Sequence, residues 1–130
     1  MTRGLSVDGW ERQGILDREV SVLRSLREGV EELVVLSYGG ADEQRFQPQL
    51  GAIRVLPNRW RLGANLYSLV APLCHYGSLR GVDILRTQQL NGAWTAVIAK
   101  RLTGARLVVR CGYLWSMLVE HAGAHPMRAR

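Results

Sequence analysis

Between residues 15 and 30 the apolar side chains fall at Leu16, Val20, Leu23, Leu26 and Val30. Steps of three and four predict a helix with one face turned inward. Arg18, Glu19, Arg24, Arg27 and Glu28 take the other faces, and Gly29 offers a C-terminal stop. The pattern then changes. Leu33-Val34-Val35-Leu36 is an unbroken apolar run closed by Ser37-Tyr38-Gly39-Gly40. Such a run predicts a strand covered on both faces, as in a parallel sheet.

Asp42 to Gln49 is polar and ends at Pro48, which predicts no more than a short turn or a single helical turn. Ile53 to Leu56 reads as a second short strand, stopped by Pro57-Asn58. From Leu62 to Leu79 a helix is predicted with Leu66, Leu69, Val70, Leu73 and Tyr76 on its apolar face and a kink or break at Pro72. Val82 to Leu85 makes a third strand. A helix through Ala93, Val97, Ile98 and Leu102 follows, closed by Thr103-Gly104. Leu107-Val108-Val109 is a fourth strand, and another helix is expected to start near Trp115.

Strand centres near residues 34, 54, 84 and 108 are thus separated by helix-sized intervals. The expected class is α/β: a Rossmann-like parallel sheet with helices on both faces and right-handed crossovers. The first helix arrives with only Met1-Thr2-Arg3 ahead of Gly4, too few for an ordinary strand. A truncated first strand is therefore expected, and likewise a truncated final helix. Residues 1–122 would form the domain and 123–130 a basic tail or the start of that helix.

The length suits one domain, and the 47% hydrophobic and 22% charged composition argues against disorder. The longest mostly apolar stretch, Leu66 to Cys74, is too short to span a membrane. No apolar core follows Arg3, so no signal peptide is predicted and a cytoplasmic location is expected. Cys74 and Cys111 form neither a disulfide framework nor, with His75, His121 and His125, a spacing that suits a metal. The net charge of +6 rests on arginine, with Lys100 the single lysine. The arginines are scattered without a run of five, which does not favour nucleic acid.

Ligands of open α/β sheets bind beyond the carboxyl ends of the strands. That rule selects the loops Thr2–Gly14, Tyr38–Asp42, Arg86–Gly92 and Arg110–Ser116. They carry Arg3, Gln13, Thr87, Gln88, Gln89, Asn91, Arg110 and Tyr113, a set of amides, guanidinium forks and an aromatic platform suited to sugar hydroxyls. Gly4, Gly9 and Gly14 could bring backbone close to a phosphate. They do not spell GxGxxG, and neither a P-loop nor GxSxG is present. Asp17 and Glu19 open the first helix, where negative charge suits the helix dipole.

Several segments together resemble the N-terminal domain of glycosyltransferase family 4. They are Thr2 to Ser6, Trp10 to Glu19, Leu36 to Gly39, Ile84-Leu85-Arg86-Thr87-Gln88-Gln89-Leu90-Asn91-Gly92-Ala93 and Val109-Arg110-Cys111-Gly112-Tyr113-Leu114-Trp115-Ser116. The resemblance implies the N-terminal half of a GT-B fold, in a retaining enzyme that needs no metal or other cofactor. It implies a nucleotide-sugar donor, held mostly by a C-terminal Rossmann-like domain that this chain lacks, and a glycan or lipid-linked acceptor. By position, Arg3, Gly4, Gly9, Gln13 and Gly14 would form the loop near donor phosphates and acceptor. Thr87, Gln88, Gln89, Asn91, Arg110 and Tyr113 would line the acceptor side. No catalytic residue is assigned, and the isolated chain is expected to be inactive. Peripheral association with the inner face of a membrane is a further implication. A reading of a different class is a non-catalytic Rossmann-like module that binds an anionic partner.

Overall fold

The computed structural model describes residues 4–111. Within them the chain is mixed α/β, with six α-helices and four short strands. The order is α1 (Val7–Arg12), α2 (Leu16–Glu28), β1 (Val34–Leu36), α3 (Gln47–Leu50), β2 (Arg54–Leu56), α4 (Ala64–Cys74), α5 (Tyr76–Leu79), β3 (Ile84–Arg86), α6 (Ala93–Thr103) and β4 (Arg106–Val108). Single 3-10 segments at Ala41–Phe46 and Leu90–Gly92 precede α3 and α6. The expected helix near Trp115 and the segment 112–130 lie outside the described residues.

All four strands fall where the apolar runs predict them, and both pairings are parallel. Val34, Val35 and Leu36 face Arg54, Val55 and Leu56. Ile84, Leu85 and Arg86 face Arg106, Leu107 and Val108. The expectation of one continuous sheet is not met among the described residues: β1–β2 and β3–β4 are separate two-stranded ribbons. They are joined by side chains and helix packing instead. The Tyr38 hydroxyl lies 2.7 Å from Ser68 Oγ on α4 and 3.5 Å from Thr95 Oγ1 on α6, and α4 packs along α6.

The β1–β2 ribbon is covered on both faces because its residues alternate between two cores. Val35 and Val55 point to a cluster of Val7, Trp10, Leu16, Val20, Leu23, Phe46, Leu50 and Ile53. Val34, Leu36 and Leu56 point the other way, toward Tyr67, Ala71 and Leu79. The first cluster explains α2: of its predicted inward residues Leu16, Val20 and Leu23 are buried, whereas Leu26 is half-buried and Val30 lies beyond the helix end and is exposed.

Three local expectations need correction. Thr2–Gly14 is not a loop: Val7–Arg12 is a helix, because the Ser6 hydroxyl caps it by accepting the Gly9 N–H at 2.9 Å and Val7 and Trp10 enter the core. Asp42–Gln49 is not a single turn, since the 3-10 segment runs straight into α3. Pro48 sits in the first turn of α3, where its missing N–H costs nothing, and Phe46 and Leu50 are buried.

The largest correction concerns α4. Its inward face is Tyr67, Ser68, Ala71 and Pro72, and the helix passes Pro72 to end at Cys74, the break falling at His75. Leu66, Leu69 and Leu73 point outward at 52%, 56% and 61% exposure, followed by the exposed Tyr76. Small residues decide this. Ala71 on α4 is buried beside Leu36, Leu56, Tyr67 and Leu79, and Ala96 and Ala99 on α6 are buried too, so Leu side chains at these positions would force the elements apart. Ser68 is tolerated inside because its hydroxyl also donates to Ala64 O at 2.7 Å.

His75 stands at the α4–α5 break and is buried there. Its Nε2 stands 2.8 Å from the Tyr67 hydroxyl. Burial lowers the His75 pKa from its ordinary value, Arg59 pushes the same way, and a hydrogen bond to the Pro57 carbonyl opposes both. Burial also raises the Tyr67 hydroxyl well above its usual range, with Cys74, Tyr38 and Glu43 adding to the effect.

Leu50→Ala should lower stability by about 2–5 kcal/mol by opening a core cavity, whereas Leu69→Ala should stay within about 0.5 kcal/mol. Paired urea unfolding curves decide between this face assignment and the reverse. A lowered His75 pKa means the unfolded chain binds the proton more readily, so stability is present above the ordinary histidine value and is lost as pH falls through the folded one. The thermal midpoint should therefore drop between pH 7.5 and pH 5.5. His75→Asn should flatten that slope.

Candidate functional site

The carboxyl ends of the strands gather the polar groups. After β1, the Tyr38 N–H donates to Leu5 O at 3.1 Å, which ties the entry to α1 against the strand end. Gly39 O accepts from the Asn58 N–H at 2.7 Å, joining the loops after β1 and β2. Asn58 is buried, and its amide clasps the Leu62 backbone on both sides, donating to O at 2.7 Å and accepting from N at 3.1 Å.

Beneath this rim lies Glu43, only 1% exposed. Its Oε1 accepts the Asp8 N–H at 3.0 Å, and its Oε2 has no partner among the described residues. A Cβ added at Gly39 would stand 2.2–2.8 Å from the carboxylate atoms, so Gly39 gives Glu43 its room. Arg45 pairs with Asp8 and Glu11, and Arg12 also pairs with Asp8, balancing the charge on α1.

After β3 and β4 a second set of bonds forms. Thr87 is fully buried, donates its N–H to Val108 O at 3.0 Å and accepts the Arg110 N–H on Oγ1 at 3.1 Å. Its place is therefore beneath Arg110, holding that residue's backbone at the strand end. Gln88 Nε2 donates to Glu19 Oε2 at 2.6 Å, reaching from the β3 loop to the first turn of α2. Glu19 also accepts from Arg18 at 3.0 Å, so it serves as a tie between loop and helix as well as suiting the helix dipole. Gln89, Asn91 and Arg110 are exposed on this rim.

The predicted residues thus divide. Thr87, Gln88 and Arg110 are drawn together, with Gln89 and Asn91 on the turn beside them. Gly9 lies within α1, and Gln13 and Gly14 close that helix on the exposed side, Gly14 at φ +69°. Gly4 is also exposed, at φ +74°. Links between the two groups run through Glu19–Gln88 and through Tyr38, whose backbone holds Leu5 and whose ring reaches α4 and α6. Arg3 and Tyr113 lie outside the described residues. Sequence reasoning missed Tyr38, Glu43, Asn58, Ser68 and Thr95. Only the Gly39-Gly40 doublet after a strand signals a close approach; single polar residues in helices give no such sign.

Chemically, the rim offers amides and a guanidinium for hydroxyls or anionic oxygens, on a backbone fixed by Thr87 and Glu19. Two open hollows lie elsewhere. One of about 590 Å³ lies between Arg80–Ile84 and Thr103–Arg106, at the amino ends of β3 and β4, and one of about 430 Å³ lies on α2 beside Gln49. The rim is the stronger candidate because its amides and guanidinium converge from the ends of β3 and β4. Among the described residues no group of three His, Cys, Asp or Glu is placed to hold a metal, and Cys74 and Cys111 are thiols.

No family model, curated protein or solved structure matches this chain.

Thr87→Val should cost about 1–3 kcal/mol by leaving the Arg110 N–H without its acceptor. Faster amide hydrogen exchange at Arg110, with little change at Leu23, would mark the loss as local.

Proposed function

We propose that this chain is the acceptor-side domain of a retaining GT-B glycosyltransferase, with a Rossmann-like arrangement completed by strand pairing beyond the two ribbons. A sugar would pass from a nucleotide-sugar donor to a glycan or lipid-linked acceptor, with most donor contacts on a second domain. The observation that carries this reading is the convergence of Gln88, Gln89, Asn91 and Arg110 at the carboxyl ends of parallel strands. The sequence resemblance in the same loops supports it.

In this arrangement Arg110 and the amides hold acceptor hydroxyls, Thr87 and Glu19 keep them in place, and the isolated chain does not turn over. NMR titration of the full chain with oligosaccharides should shift the amide signals of Gln88–Asn91 and Arg110. Arg110→Ala should weaken that binding about tenfold. Coupled assays with common nucleotide sugars should show no nucleotide release. Robust transfer by this chain alone, or no glycan-induced shift at the rim, would overturn the proposal.

A further inference from the structure

The outward face of α4 is unusual for a surface helix. Ala64–Cys74 contains no charged residue, and Leu66, Leu69 and Leu73 lie one above another on its exposed side, with Tyr76 continuing the line. Arg59-Trp60-Arg61 in the preceding loop is exposed as well. The Trp60 ring rests edge-on against His75, centroids 5.5 Å apart, which lays this loop alongside the helix. On α6, packed beside α4, Trp94 is exposed.

Charge is separated across the same ribbon. Nine of the eleven acidic residues precede residue 44, on or around α1, α2 and the 3-10 segment, whereas residues 44–111 hold ten cationic side chains and one acidic one, Asp83; two of those ten, Arg45 and Arg54, pair with Asp8, Glu11 and Glu32 on the acidic side. The β1–β2 ribbon lies between these regions, since α2 packs on its first face and α4 on its second. The leucine stripe therefore belongs to the cationic side. An apolar stripe flanked by Arg and Trp, with no acidic neighbour on its own helix or loop, matches the interface of an anionic bilayer. Leucines enter the acyl boundary there, aromatic rings sit at headgroup level and guanidinium groups meet lipid phosphates.

We infer that the outer face of α4, with Arg59, Trp60, Arg61 and Tyr76, docks the protein flat on an anionic lipid surface. This names the surface on which the proposed lipid-linked acceptor would be met, and to that extent it rests on the proposed function. Its test contains no sugar, so failure here and failure of glycan binding at the rim are separate results. A second copy of the chain is the competing occupant, but two such faces would bring Arg59 and Arg61 of each copy toward one another.

The full chain is sedimented with phosphatidylcholine vesicles containing about a third phosphatidylglycerol, and with phosphatidylcholine alone. Binding is expected only to the anionic vesicles and should weaken with salt. Leu69→Gln/Leu73→Gln should reduce it by about tenfold or more, and Arg59→Gln/Arg61→Gln should do likewise. Both pairs are exposed, so thermal midpoints should stay at the parent value. Arg12→Gln/Arg18→Gln, on the acidic side, should leave binding unchanged. Absence of binding to anionic vesicles overturns the inference, as does binding that survives the double leucine substitution. Concentration-dependent dimerisation abolished by Leu69→Gln/Leu73→Gln, without vesicle binding, assigns the face to a second copy and overturns it too.

Discussion

Tyr38 is where the molecule's two ribbons are held in one arrangement. Its backbone N–H fixes Leu5 at the end of β1, its ring meets Tyr67 edge-on at 5.1 Å, and its hydroxyl lies between Ser68 and Thr95. No ladder joins β1 to β3 among the described residues, so α4 and α6 carry the orientation of one ribbon relative to the other. A half-buried hydroxyl shared between those helices is directional in a way that alanine packing is not. The polar rim follows from it: Gln88 reaches Glu19 only if the β3 loop and α2 are held at the right separation.

What the sequence makes legible depends on how local the cause is. Strand positions are readable because Leu33–Leu36 and Ile53–Leu56 are apolar runs ended by turn residues. The inward face of α2 is readable because only one side of that helix is apolar. α4 defeats the same reasoning, since nearly every face of it is apolar and periodicity cannot choose among them. Its choice is made by Ala96 and Ala99 on α6 and by a hydrogen-bond partner on Tyr38, all distant in the chain. The Ser6 cap was present as a local signal, but the three nearby glycines suggest a phosphate loop instead.

The candidate site is legible in a similar proportion. Gln88, Gln89, Asn91 and Arg110 could be chosen because they follow strands. Their supports could not, because Thr87 is outwardly another polar loop residue until its burial beneath Arg110 is known. The same holds for Glu43, a carboxylate whose neighbours in sequence are polar and whose position under Gly39 depends on α1 packing over it. Charge asymmetry, by contrast, is written in the order of residues and acquires meaning only when the ribbon sets the acid-rich N-terminal segment and the Arg59–Arg61 loop on opposite faces.

The short reach of each ribbon has a consequence for how the chain finds its form. Val34 pairs with Arg54 and Ile84 with Arg106, so each ladder closes over a segment of about twenty residues. Both pairings can thus arise independently before distant parts of the chain meet. Docking of α6 on α4 is then the long-range event, and it is held by small residues and one shared hydroxyl rather than by a large apolar interface. The first ribbon keeps a core of its own about Leu50 and Ile53, so what joins it to the second is concentrated where Tyr38 meets Ser68 and Thr95.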